Sequence, residues 1–315
     1  MRNKRKQNQI SAPGLALVMV LASWALAQAS EPQASEPQGS EAQGSQRQVS
    51  DPQVADPQVS ERENSNCPTK GALGTARVMA VDSTTYPRVG LKSFPQTLPL
   101  RDHEVVLTFD DGPSPRGTRK VLAALKKECV RATFFLVGKP AADHPALVRQ
   151  IAAEGHTIGH HTWSHQSLMR IKPNDATEEI DHGIAAVEMA LHGVATTTPS
   201  TPFFRFPYFD SSPETLDLLQ ARGMVVFGAD FWASDWKPMT AQQQLKLLIE
   251  RLKVARKGII LLHDPRTQTA AMLPAFLRYL RDNDYSVVHI VLRPPGPGRE
   301  AHDAAAPTET SERAP

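Results

Sequence analysis

The sequence predicts an α/β fold, a distorted seven-stranded (β/α) barrel, with an open doubly wound sheet as the alternative topology. Three observations predict it. From residue 105 onward, short apolar runs alternate with segments whose apolar residues recur at helical spacing. The runs are apolar throughout rather than at every second position, as strands of a covered parallel sheet read. Gly155, Gly193, Gly223 and Gly258 fall where helices must stop. Strand, helix, strand repeated in this way implies parallel pairing through right-handed crossovers, and seven runs rather than eight imply a barrel left incomplete.

The predicted strands cover 105–109, 132–137, 156–160, 203–206, 224–228, 258–262 and 285–290, and the predicted helices cover 118–128, 145–154, 176–191, 213–222, 241–256 and 272–281. The first strand ends on Asp110-Asp111-Gly112-Pro113, where Gly-Pro breaks the run. Two carboxylates at the mouth of a buried strand are costly to desolvate unless a cation compensates them. A solvated turn or helix cap is the bland alternative for this stretch alone.

Outside 105–292, which reads as one folded domain, the chain changes character. Residues 1–29 have a basic start, an apolar run from Leu15 to Leu26 and small residues at Ala27 and Ala29, the layout of a cleavable secretory signal. The run is short for a permanent membrane span. Residues 30–66 repeat a degenerate pentad (SEPQA, SEPQG, SEAQG) with no aromatic residue and read as a disordered linker. Residues 67–104, rich in Pro and Gly, read as a strap over the domain, and 293–315 read as a disordered tail. Export to the periplasm or medium is therefore expected.

Composition narrows the partners. The formal charge is +2, and removing Arg2, Lys4, Arg5 and Lys6 with the signal leaves −2, so no general affinity for nucleic acid is expected. Cys67 and Cys129 are the only cysteines, too few for a zinc module. An oxidising compartment permits one bridge between them, and two buried thiols are the alternative.

Residues able to do chemistry follow the C-terminal ends of the predicted strands, which in a parallel barrel form one rim. Asp110 and Asp111 follow the first run, His160-His161-Thr162-Trp163-Ser164-His165 the third and Arg205-Phe206-Pro207-Tyr208 the fourth. Asp235-Trp236 lie beyond the fifth, and Leu261-Leu262-His263 close the sixth. A spacing of four would put His161 and His165 on one face of a helical turn, and one carboxylate would complete a two-His, one-Asp metal site. Singly, Arg205 reads as a surface cation, Trp236 as packing and His263 as a buried histidine. Five such motifs on one rim do not.

Together, Thr108-Phe109-Asp110-Asp111-Gly112, His161-Thr162-Trp163-Ser164-His165, Arg205-Phe206-Pro207-Tyr208, Asp235-Trp236 and Leu261-Leu262-His263 resemble the five ordered motifs of the polysaccharide deacetylases, the nodulation-type homology domain of carbohydrate esterase family 4. The resemblance implies a metal-dependent hydrolase that removes acetyl groups from N-acetylglucosamine-containing glycans. It implies that Asp111, His161 and His165 ligate the metal, most simply Zn2+, that Asp110 is the general base paired with Arg205, and that His263 is the general acid oriented by Asp235. Tyr208 would offer its backbone N–H to the oxyanion, and Trp236 and Leu261 would line the acetyl pocket.

The expected substrate is peptidoglycan or another envelope glycan. A chitooligosaccharide and an O-acetylated xylan are the alternatives. His160 stands where many relatives have Asn, so ligation by His160 in place of His161 is the slipped alternative, which strand alternation disfavours. Asp230 is expected to be structural, and Asp264 to cap the following helix. A non-haem iron oxygenase shares the two-His, one-carboxylate set but would have no need of Asp110, Arg205 and His263 together. A glycan-binding module without catalysis would have no need of a base and an acid.

Overall fold

The computed structural model describes residues 67 and 69–294, all within the unit Ser50–Pro315. The expected signal peptide 1–29, linker 30–66 and all of the tail beyond residue 294 lie outside the described residues.

In chain order the elements are β1 (Arg77–Val81), β2 (Arg88–Val89), β3 (Glu104–Asp110), α1 (Thr118–Lys127), β4 (Thr133–Leu136), α2 (Gly138–Asp143), α3 (Pro145–Ala153), β5 (Thr157–His160), α4 (Pro173–His192), β6 (Phe203–Phe204), α5 (Pro213–Ala221), β7 (Val225–Phe227), β8 (Phe231–Trp232), α6 (Ala241–Ala255), β9 (Gly258–His263), α7 (Thr267–Asp282) and β10 (Ser286–Leu292). All seven expected strands are present. Three short ones, β1, β2 and β8, join them.

Every ladder is parallel. The path runs β8–β9–β3–β4–β5–β6–β7–β2, and β10 docks on the first two residues of β3 and carries β1 on its other side. Among the described residues no ladder joins β2 or β7 to β8 or β9, so the barrel is incomplete, as seven runs implied.

Alternation along β3 sorts its side chains into two layers. Val105, Leu107 and Phe109 pack with Val121, Leu125, Phe276 and Leu280 of the helices. Val106 joins Phe135, Phe203, Phe227 and Ile259 in a cluster that contains no helical residue, the barrel interior. Thr108 and Asp110 share the face of Val106, because side chains two apart on a strand point the same way. Strand period alone therefore aims Asp110 into the barrel mouth.

The helices are set by ordinary end signals. In α4, Pro173 opens the first turn, Asp175 complements the helix dipole, and Gly193 closes it at φ 75° with its N–H on Met189 O. Thr240 and Gln243 form a capping box at α6, worth about 1 kcal/mol.

The segment read as a strap contributes two strands to the sheet, β1 on β10 and β2 on β7. Asp230 holds it down: its carboxylate accepts from Leu91 N, Thr97 Oγ1 and Ile259 N. That is the structural role expected of it. Cys67 and Cys129 are bridged, with Cα atoms 5.8 Å apart, which settles the alternative left by the sequence and ties the start of the strap to the end of α1. No helix among the described residues is long and apolar enough to cross a membrane.

Candidate active site

Because all the strands run in parallel, β3, β5, β6 and β9 deliver their following residues to the same rim. Asp111 turns out of β3 with φ at 72°, and Thr162, His165, Tyr208 and Phe209 also have positive φ. Each such residue costs about 1–3 kcal/mol, and the clustering of strained backbone marks the rim as the place where the fold is held against its local preference.

Asp111, His161 and His165 converge, with one potential ligand atom of each lying within 4.8 Å of the other two. Asp111 Oδ1 lies 3.0 Å from His165 Nε2 and 3.5 Å from His161 Nε2, yet it is buried without a well-formed hydrogen bond. His161 Nδ1 sits 2.7 Å from the backbone carbonyl of Arg205. A carbonyl only accepts, so Nδ1 carries a proton and Nε2 is the nitrogen left facing Asp111, the one available to a cation. Acceptors crowded onto one point repel one another unless a cation lies between them, so the donor set fits a divalent metal.

The loop holding the two imidazoles is not the helical turn that the spacing of four suggested. Residues 161–165 are irregular, with Thr162 at φ 64° and His165 at φ 62°, and Thr162 Oγ1 accepts from His165 N at 3.1 Å. The backbone reversal, not helical periodicity, brings the rings to 5.0 Å. Glu179 of α4 pins the loop, accepting from Ser164 N and Oγ at 2.8 and 2.7 Å. Gly183 permits this approach, since a Cβ there would meet Thr162 C at 2.4 Å.

Arg205 is wholly buried and spends its donors on fixed acceptors. Nη1 reaches Asp110 Oδ1 at 2.7 Å and Thr108 Oγ1 at 2.8 Å, Nη2 reaches Gly228 O at 2.7 Å, and Nε reaches Phe227 O at 3.2 Å. The guanidinium also lies over the Phe135 ring at 4.3 Å. Burial lowers its proton affinity and Asp110 acts against that. With Oδ1 taken by Arg205, Asp110 Oδ2 is left toward His161, 3.9 Å from its Nε2.

At the end of β9, His263 Nδ1 pairs with Asp235 Oδ1 at 2.7 Å. Asp235 is itself fixed, its Oδ2 accepting from His263 N and Thr269 Oγ1, both at 2.7 Å. Burial alone would lower the His263 pKa. The Asp235 hydrogen bond and charge overcome it, with Asp111 and Asp110 adding, and push the imidazole up to about 9. Trp236 stands 5.8 Å from the His263 ring, Leu261 is buried in the same strand, and the exposed Tyr208 packs its ring 4.8 Å from His165.

His160 is buried away from this cluster, its Nε2 3.8 Å from Glu188 Oε1, so alternation does turn it off the site. Asp264 does not cap α7. Its carboxyl takes the Thr118 hydroxyl and packs against Gly112, where a Cβ would come within 2.4 Å of it. Full burial, with Asp111 and Asp110 nearby, raises it to about 7 against the Thr118 bond. Thr108, Glu179, Thr269 and Asp264 all support the site and passed unnoticed as support in the sequence, since nothing in their spacing distinguishes them.

The family model described as polysaccharide deacetylase matches residues 98–227. Over 143 residues the chain is 36% identical to the peptidoglycan-N-acetylglucosamine deacetylase of Bacillus cereus, a match covering 45% of this chain and 50% of that protein. It is 34% identical over 161 residues to the chitooligosaccharide deacetylase of Azorhizobium caulinodans, covering 51% of this chain and 73% of the relative. The solved structure of a peptidoglycan deacetylase from Bdellovibrio bacteriovorus is similar with a TM-score of 0.61 and 27% identity, over 75% of this chain and 67% of that one. The chain thus spans about half the length of the Bacillus relative. With the ordered motifs, the parallel barrel and a relative matched over nearly three quarters of its length, the chain belongs to the polysaccharide deacetylase family.

Proposed function

We propose that this protein hydrolyses the N-acetyl groups of N-acetylglucosamine units in an envelope glycan, peptidoglycan foremost, and releases acetate. The observation that carries the reading is the convergence of Asp111, His161 and His165 between a carboxylate held by Arg205 and an imidazole held by Asp235. A divalent cation held by those three residues, most simply Zn2+, would supply Lewis acidity to the amide carbonyl and to the attacking water.

The remaining work falls to the chain. Asp110 is the general base: Arg205 fixes one oxygen and leaves Oδ2 to take the water proton. Charge then develops on the carbonyl oxygen, where the backbone N–H of Tyr208 is the donor, such a donor being worth about 3 kcal/mol. The amine leaves only if protonated. His263 gives that proton from Nε2, since Nδ1 is committed to Asp235 and the ring stays cationic up to about pH 9. Trp236 and Leu261 enclose the acetyl methyl.

The names of the relatives support peptidoglycan as the substrate, with chitooligosaccharide and O-acetylated xylan as the alternatives for the same chemistry. The Cys67–Cys129 bridge supports an exported protein, because such bridges persist in oxidising compartments. The test is acetate release from peptidoglycan, chitin oligomers and acetylxylan, with and without chelator. Chelator-sensitive release from peptidoglycan is expected, and no release from any of the three would overturn the reading.

A further inference from the structure

Helix α6 carries a residue whose placement that chemistry does not account for. Its buried stripe is Gln244, Leu248 and Leu252, spaced by four along one face. Leu248 and Leu252 lie in the helix-side core with Ala270, Leu273 and Leu277 of α7. The first position of such a stripe calls for another apolar side chain, and it holds a glutamine that is 0% exposed. Burying an amide is costly unless its groups are paired. Only half of this one is: Nε2 donates to Thr269 Oγ1 at 3.1 Å, and Oε1 is buried with no hydrogen-bond partner among the described residues. A leucine or methionine would shed that cost, so the value of the glutamine lies in the one bond its side chain makes.

That bond leads to the active site. Thr269 Oγ1 donates to Asp235 Oδ2 at 2.7 Å, and Asp235 Oδ1 holds His263 Nδ1 at 2.7 Å. A hydroxyl has one proton and a carboxylate only accepts, so the Thr269 proton goes to Asp235 and its lone pair is left for a donor. Gln244 is that donor, and every hydrogen in the row then points toward Asp235. With the lone pair engaged, the Thr269 hydroxyl is locked in the one rotation that serves the carboxylate. The same two helices grip the rest of the loop: Gln268 Nε2 of α7 bonds Asp235 O at 2.7 Å, and Arg251 Nη1 of α6 bonds Ser234 Oγ at 2.7 Å.

We infer that Gln244 is a positioning residue for the acid step: through Thr269 it holds Asp235, and with it the His263 ring, in the orientation that delivers a proton to the leaving amine. The inference rests on the proposed deacetylase activity. Gln244 and Thr269 are both wholly buried and cannot touch substrate, so their effect falls on kcat and not on KM. The test measures kcat and KM for acetate release from peptidoglycan fragments, together with the thermal midpoint, for the wild type, Gln244→Met, Thr269→Val, Thr269→Ser and the double variant Gln244→Met with Thr269→Val. Gln244→Met keeps the volume and removes both the donor and the unpaired acceptor. It is expected to lower kcat about fivefold, the worth of one ordinary hydrogen bond, with KM unchanged and a midpoint at or above that of the wild type. Thr269→Val should lose more, since Asp235 then lacks a direct bond, and Thr269→Ser should restore most of the loss. Because Gln244 acts only through the Thr269 hydroxyl, adding Gln244→Met to Thr269→Val should cost nothing further.

An unchanged kcat in Gln244→Met would overturn the inference, and so would a midpoint that falls together with kcat, the mark of a merely structural residue. Additive losses in the double variant would overturn it as well. Absence of acetate release by the wild type from any acetylated glycan would instead fell the deacetylase reading, and the inference with it.

Discussion

Replacing Asp235 by Asn tests the acid half of the proposed chemistry through its pH dependence. In the native site Asp235 is the main reason that His263 titrates at about 9 rather than 6.5, a difference of about 3 kcal/mol. At pH 8 an imidazole titrating at 9 is about nine-tenths protonated, whereas one at 6.5 is about 3% protonated. At pH 5.5 both are mostly cationic. Asn also puts an amide N–H2 or a neutral oxygen against His263 N and Thr269 Oγ1, so some loss is independent of pH.

The signature is therefore a ratio: the variant should lose about thirtyfold more kcat/KM at pH 8 than at pH 5.5. The assay is acetate release across pH 5–10, with variant and wild type measured in the same buffers. Stability is linked to the same shift. A histidine whose folded pKa is raised contributes stability that is complete below 6.5 and lost as the pH rises through about 9, and the Asn variant should lack that decline. An identical loss at both pH values would refute the assignment of His263 as a proton donor tuned by Asp235.

Further outcomes follow from other parts of the site. Arg205→Ala strands the buried Asp110 carboxylate and should destabilise the fold by about 3–5 kcal/mol, read from chemical denaturation. Reduction of Cys67–Cys129, which are 62 residues apart, should remove about 4 kcal/mol in the chain-entropy model, visible as a lower denaturant midpoint in dithiothreitol; no change would mean that the strap is held by its strand pairing alone. Asp264 titrates near 7 in the fold, so the wild type should lose stability as pH rises from about 4 through 7, whereas Asp264→Asn should show a flatter profile; equal slopes in thermal melts would contradict the raised value.

The parts legible in the sequence are those whose physics is local. Strands β3, β4 and β9 are buried along nearly their whole length and read as unbroken apolar runs. Helix α2 hides because Gly-Lys-Pro-Ala-Ala-Asp is a poor helix former, stabilised here by packing: a Cβ at Gly138 would meet Gly183 Cα at 2.8 Å. The first turn of α7 is Thr-Gln-Thr-Ala, polar where Thr269 and Gln268 turn inward to Asp235, so the apolar spacing starts five residues late. β2 and β8 are two residues each, too short to show any period.

At the site the motif residues were readable because the proposed metal, base and acid each need particular side chains. Their supports were not, because a threonine or glutamate that holds a loop looks like any other. The pairing of the His161 loop is the clearest case: the residues were found, while the backbone reversal that joins them depends on α4, whose Glu179 arrives from 14 residues beyond His165. Cysteine pairing was open for the same reason, since only the folded strap brings Cys67 to the end of α1.

The division of labour between the two adjacent carboxylates is best tested by counting bound cations. Elemental analysis of the purified protein, Asp110→Asn and Asp111→Ala after zinc loading and desalting should find one ion per chain in the first two and none in the third. One ion retained by Asp111→Ala, or lost from Asp110→Asn, would contradict the assignment of Asp111, His161 and His165 as the metal centre.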